Sequence, residues 1–173
     1  MRIASALCAA ALIACNGEGG PPPARVGNQA QTRADEALMD ANKVLAEREE
    51  RDIRDWIARQ GTTMQSTGTG LHVKLLRDEP GTTARPGQVA LIDYKVYLID
   101  GTLCYSSEEA PQEVRVEQEN VESGLHEGLQ YMSIGDSAVL AIPSHLAHGL
   151  AGDMKKIPMR STVIYRLALR GLR

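Results

Sequence analysis

His126, His145, His148 and Cys104 are the side chains of this 173-residue chain best suited to hold a metal or act as a nucleophile. His145 and His148 stand three apart in Ser144-His145-Leu146-Ala147-His148-Gly149. Zinc needs three or four convergent ligands, so two histidines on one loop do not make a site, and neither metal nor cofactor is expected. A cysteine nucleophile wants a stabilised thiolate and an orienting acid. Cys104, between Leu103 and Tyr105 on an aliphatic strand, has neither and reads as a small apolar filler. What remains is tyrosine. The chain contains no phenylalanine and only 3% aromatic residues, so each tyrosine stands out against an aliphatic core. By pattern alone, Tyr94 is a core residue whose hydroxyl finds a partner. Tyr165 walls the same core, and Tyr105 folds inward.

Alternating strands and one short helix must carry these tyrosines. Gln88–Leu98 sets Ala90, Ile92, Tyr94, Val96 and Leu98 on one face and Val89, Leu91, Asp93, Lys95 and Tyr97 on the other. Asp100-Gly101 predicts a hairpin into a returning strand at Leu103–Ser107. Leu71–Leu76, Val114–Glu117, Ser137–Ile142 and Thr162–Leu169 also read as strands. Val121–Met132 is an amphipathic helix with Val121, Leu125, Leu129 and Met132 on one side. Gly149–Lys156 is a loop rich in glycine and charge. The pattern predicts an α+β domain of four to five antiparallel strands around one short helix.

Upstream, residues 33–60 predict a long helix. Thr32-Arg33-Ala34-Asp35 is a capping start, Gly61 a stop, and Leu38, Ala41, Leu45, Ile53, Trp56 and Ile57 form a stripe broken near Glu47–Asp52. Glu47/Arg51, Glu50/Arg54 and Asp55/Arg59 are pairs in the favourable orientation. The stripe packs on the parent domain or supplies a surface for a homodimer. Residues 61–85 are a loop and strand leading into a domain at 86–173.

Arg2 precedes an apolar run, Ile3–Ile13, of signal-peptide length and too short to span a bilayer. Leu12-Ile13-Ala14-Cys15 resembles a bacterial lipobox. The expectation is a signal peptide over residues 1–14, a lipid on Cys15, and a disordered Gly/Pro-rich tether over 15–32. Cys104 would then be the remaining thiol, with no intramolecular disulfide. The chain would be an exported envelope lipoprotein on the periplasm-facing outer membrane, its acyl chains contributing about 0.8 kcal/mol per buried CH₂. A net charge of −3 argues against nucleic acid as a partner.

Five motifs recur in order through the last half: Leu91–Leu98, Asp100–Ser107, Gly124–Met132, Ile142–Gly149 and Ile157-Pro158. Together they resemble the FKBP family of peptidyl-prolyl isomerases, over roughly Pro86–Arg173. The resemblance implies an antiparallel half-barrel wrapped on the short helix, with a pocket between them. The family's pocket-facing strand tyrosine matches Tyr94. Its Phe-Asp before Ser-Ser matches Cys104-Tyr105, and its Val-Ile at the helix start matches Val121-Glu122. The tryptophan floor matches Leu125, the loop tyrosine His148, the isoleucine before proline Ile157, and the aromatic of the last strand Tyr165. Four positions depart from the family pattern: Cys104, Tyr105, Leu125 and His148. The family aspartate that supports polar contacts in the pocket is lost at Tyr105. The Cys-Tyr-Ser-Ser and Leu-Ala-His-Gly-Leu variants resemble a branch of FKBP-like lipoproteins associated with gliding motility.

The activity so implied is rotation about X–Pro bonds in proline-containing polypeptides. Amide resonance sets a barrier of ~18–20 kcal/mol. The twisted transition state has lost conjugation, so its carbonyl carries less charge and needs less water. A cavity that excludes water therefore favours it over the planar amide, each ~1.4 kcal/mol of difference giving tenfold in rate. No nucleophile, metal or general base is needed. The implied catalytic set is Tyr94, Tyr105, His148 and Tyr165, with Cys104, Val121, Glu122, Leu125 and Ile157 binding substrate. The alternative is a non-catalytic FKBP-like chaperone or binding module of the cell envelope.

Overall fold

The computed structural model describes residues 29–107, 110–118 and 121–173. The signal peptide and Cys15 lie outside them. The chain divides into two compact units, residues 1–39 and 40–173. The described part of the first is helical from Gln29, so the expected tether is helix over its last four residues, 29–32. Leu38 and Met39 there are exposed.

The second unit contains the rest of α1 (Gln29–Arg59), then β1 (Gln65–Ser66), β2 (His72–Arg77), β3 (Val89–Leu98), β4 (Leu103–Ser106), β5 (Gln112–Arg115), α2 (Ser123–Leu129), β6 (Ser137–Ile142) and β7 (Val163–Leu172). All seven strands join one antiparallel sheet in the order β1-β2-β6-β7-β3-β4, with β5 also on β3. This is the predicted α+β class, with more strands than the four to five expected. β1 pairs only two residues inside a Gly/Thr/Ser-rich segment, where no alternation marks it. β4 and β5 share one edge of β3, β5 along Val89–Ile92 and β4 along Lys95–Tyr97.

The sheet carries an apolar cluster on each face. Ala90, Ile92, Val96 and Leu98 join the main core with α2, whose Leu125 and Leu129 are buried there. Two glycines let α2 approach. A Cβ at Gly124 would sit 2.3 Å from Ile142 Cγ2, and one at Gly128 2.2 Å from Leu140 Cδ1. The helix is shorter than the expected Val121–Met132. Glu122 is extended at φ −59°, ψ 132°, and Gln130–Met132 close in tight turns on Glu127–Leu129.

On the opposite face, Ile53 of α1 is fully buried with Ala141 and Ile164, and Trp56, Ile57, Tyr97 and Val139 pack around them. The stripe break near Glu47–Asp52 is filled by polar contacts. Glu49 accepts hydrogen bonds from the Ser144 amide (2.7 Å), the Ser144 hydroxyl (2.8 Å) and the Thr162 hydroxyl (2.7 Å). Glu50 meets buried His72 at 3.2 Å and Arg54 at 3.6 Å. The helix stops where Gly61 turns to φ +62°. Asp100-Gly101 makes the expected hairpin, with the Thr102 amide donating to Asp100 Oδ1 at 2.8 Å. That bond holds the Asp100 carboxyl below the usual range.

Candidate functional site

Tyr94 and Tyr165 meet because of strand register. Tyr165 on β7 pairs with Val96 on β3, diagonal to Tyr94 on the same face, a separation aromatic rings span. Their centroids lie 5.9 Å apart, tilted by 40°. β4 contributes two adjacent residues through a bulge. Its register passes from Tyr97↔Leu103 to Val96↔Tyr105, leaving Cys104 unpaired between them. Cys104 is therefore buried in the main core with Leu125, Ile157 and Tyr165, while Tyr105, Tyr94 and Val121 pack at its margin.

Two carboxylates organise the polar rim. Glu122 occupies the N-cap position of α2 yet makes no capping hydrogen bond. Its Oε1 instead accepts the Tyr165 hydroxyl at 2.8 Å and faces His148 Nε2 at 2.9 Å. Tyr94 donates to Gln112 Oε1 at 3.0 Å. On the other side, Tyr105 donates to Asp153 Oδ2. Asp153 Oδ1 accepts the amides of Lys155 (2.8 Å), Lys156 (2.9 Å) and Ile157 (2.8 Å). Lys156 Nζ donates to the Cys104 carbonyl at 2.8 Å and stands 5.1 Å over the Tyr105 ring. The loop bearing Ile157 is thus pinned to β4.

Electrostatics follow from burial and these two acids. Burial, then the Glu122 carboxylate, pushes the Tyr165 phenol well above its ordinary value and raises Tyr94 in the same sense. The hydrogen bond to Asp153, then burial, raises Tyr105. Burial pulls the Asp153 carboxyl upward, but the Tyr105 hydroxyl and the Ile157, Lys155 and Lys156 amides outweigh it and hold the group well below the carboxylate range. Burial, then the Asp153 charge, raises the Cys104 thiol, which leaves it a poor nucleophile. The histidines serve separate partners: His145 Nε2 donates to the Thr69 carbonyl at 3.0 Å, and His126 Nδ1 accepts the Glu117 amide at 2.9 Å. Among the described residues no group of three such ligands is placed to hold a metal.

Seven of the nine expected pocket residues belong to one apolar cluster; Glu122 touches it through the Tyr165 hydroxyl, and His148 through Glu122. Each of the Tyr94, Tyr105 and Tyr165 hydroxyls donates within the protein. Asp153, Lys156 and Gln112 were not among the expected site residues. Asp153 had a legible signal, an acid bonding its own backbone a few residues on, as in an Asx turn. A cavity of about 430 Å³ borders Tyr94 beside Asp93, Ser106, Ser107 and Arg166. A larger one, about 810 Å³, lies beside α1 and takes in none of the nine.

The family model described as FKBP-type peptidyl-prolyl cis-trans isomerase matches residues 81–170. This chain belongs to the FKBP family. The FKBP region is 36% identical over 89 residues to peptidyl-prolyl cis-trans isomerase FKBP10 of Mus musculus, covering 50% of this chain and 15% of that protein. FKBP-type peptidyl-prolyl cis-trans isomerase FkpA of Escherichia coli is 27% identical over 146 residues, covering 84% of this chain and 52% of FkpA. The chain thus spans at most about half the length of these two FKBP relatives. The crystal structure of FkpA from Escherichia coli superposes with a TM-score of 0.65 at 25% identity, covering 84% of this chain and 71% of that one.

Proposed function

We propose that this FKBP domain is a peptidyl-prolyl cis–trans isomerase acting on exported polypeptides, with Tyr94, Leu125, Ile157 and Tyr165 as the walls of the prolyl site. The observation that carries it is their convergence into one apolar cluster inside a domain of this family. Leu125 and Ile157 are buried in that cluster, so a prolyl ring entering beside them would exchange water for apolar contact. Removing water raises the planar amide, which carries more charge, relative to the twisted one. Tyr94 and Tyr165 present ring faces beside it. His148, Glu122 and the Tyr105–Asp153 pair hold the surrounding loops. Cys15, as a lipidation site, would confine the enzyme to the membrane surface. The exposed side chains Val44 and Leu45 of α1 would meet a second copy.

The deciding experiment is exchange-rate measurement on a short proline peptide. Wild type accelerates cis–trans exchange, and Tyr94→Ala lowers kcat/KM at least about tenfold, ~1.4 kcal/mol of transition-state stabilisation. Absence of any acceleration by wild type overturns the proposal.

A second reading, a non-catalytic chaperone, is favoured by the loop beside Ile157. Leu150, Met154 and Met159 are exposed there, Met154 at 90%, an apolar surface for an unfolded chain. Refolding help that survives Tyr94→Ala, without peptide turnover, would select it.

A further inference from the structure

Glu122 is spent on neither of the tasks that usually explain an acid at its position. Its side chain does not cap α2, and no lysine or arginine among the described residues forms an ion pair with it. Its side chain is 10% exposed, and both of its partners, the Tyr165 hydroxyl and His148 Nε2, converge on Oε1, leaving Oε2 outside that pair. The other charges of the site cancel locally. Asp153 and Lys156 bracket Tyr105, the acid on its hydroxyl and the ammonium over its ring. Glu122 therefore has the His148 imidazole and the Tyr165 hydroxyl as its partners, and it lies against the apolar cluster of Tyr165, where charge is weakly screened. Its field reaches both Tyr94 and Tyr165, whose phenols it helps hold in the protonated form.

We propose that Glu122 is a specificity-determining residue that makes the prolyl site select substrates with a basic side chain, lysine or arginine, next to the proline. This rests on the isomerase function proposed above and adds the charge class of its substrate. A flanking ammonium or guanidinium pairs with the carboxylate through Oε2, while an apolar neighbour gains nothing there. An acidic neighbour is repelled.

The test uses the full chain and peptides that carry lysine, norleucine or glutamate immediately before or after one proline. Norleucine matches the lysine stem without its charge. Wild type is expected to turn over the lysine peptide about tenfold better than norleucine at one of the two positions, with glutamate slowest. In Glu122→Gln, which keeps an acceptor for Tyr165, the lysine-to-norleucine ratio falls toward one. Norleucine equal to or better than lysine in wild type at both positions overturns the proposal, and that comparison needs no variant to fold. A lysine preference that persists in Glu122→Gln overturns the role of Glu122. If no peptide is turned over, the isomerase function itself fails. Turnover of norleucine without charge preference leaves that function standing and removes only this inference.

Discussion

Asp153 takes four hydrogen bonds, three from its own loop and one from Tyr105, so a single side chain sets the path of the segment that presents Ile157. Its depressed carboxyl pKa gives the sign of a pH effect. A group held low in the folded state stabilises above its unfolded pKa, about 3.9, and loses that contribution as pH falls through the folded value. Wild type should therefore exceed Asp153→Asn in stability by a constant margin between about pH 7 and 5. That margin should shrink below about pH 4. Urea unfolding of both proteins across this range checks it; a margin unchanged at the acidic end would exclude the linkage. Cys104 at this scale is a bulge residue with a raised thiol pKa, the filler expected of a cysteine among aliphatic neighbours.

Elements dock here by polar anchors as much as by apolar stripes. Only the last part of the predicted α1 stripe is buried: Ile53 is fully enclosed, while Leu45 is exposed. Glu49, in the stripe's apparent gap, bonds two buried residues, Ser144 and Thr162, on the loops flanking β6 and β7. Glu49→Ala leaves the Ser144 amide and the Thr162 hydroxyl without that acceptor. The expected destabilisation is about 1–3 kcal/mol, read as a lower urea midpoint at unchanged slope. A midpoint matching wild type would mean that water replaces the carboxylate. β4 teaches the same lesson from the other side. Its alternation sends Cys104 and Tyr105 to opposite faces, and only the bulge against β3 brings Cys104 into the main core with Tyr105 at its margin.

For the molecule as a whole, the proposed attachments are a lipid and a second copy. Full-length chain is expected to sediment as a dimer, and a Val44→Glu/Leu45→Glu double variant as a monomer with its peptide kinetics retained. A monomeric wild type at micromolar concentration removes the dimer. Expressed in a bacterial host and supplied with labelled palmitate, wild type should incorporate label and stay with the membrane pellet, whereas Cys15→Ala should do neither. Incorporation by both would place the acyl group elsewhere.

Class, strand positions and the family were within reach of the bare sequence because each depends on local regularities. Alternation along Gln88–Leu98, the turn chemistry of Asp100-Gly101, and motifs at fixed spacing are properties of neighbouring residues. Tyr94, Leu125, Ile157 and Tyr165, drawn from those motifs, share one apolar cluster. Partners across long loops did not. Glu122 turning from its cap to Tyr165 and His148, Asp153 closing on Tyr105, and Glu49 reaching Ser144 and Thr162 join residues between 26 and 113 positions apart. Only the folded chain decides such pairs, because a buried acid takes whatever donors packing brings within reach, and no spacing along the chain encodes which ones those will be.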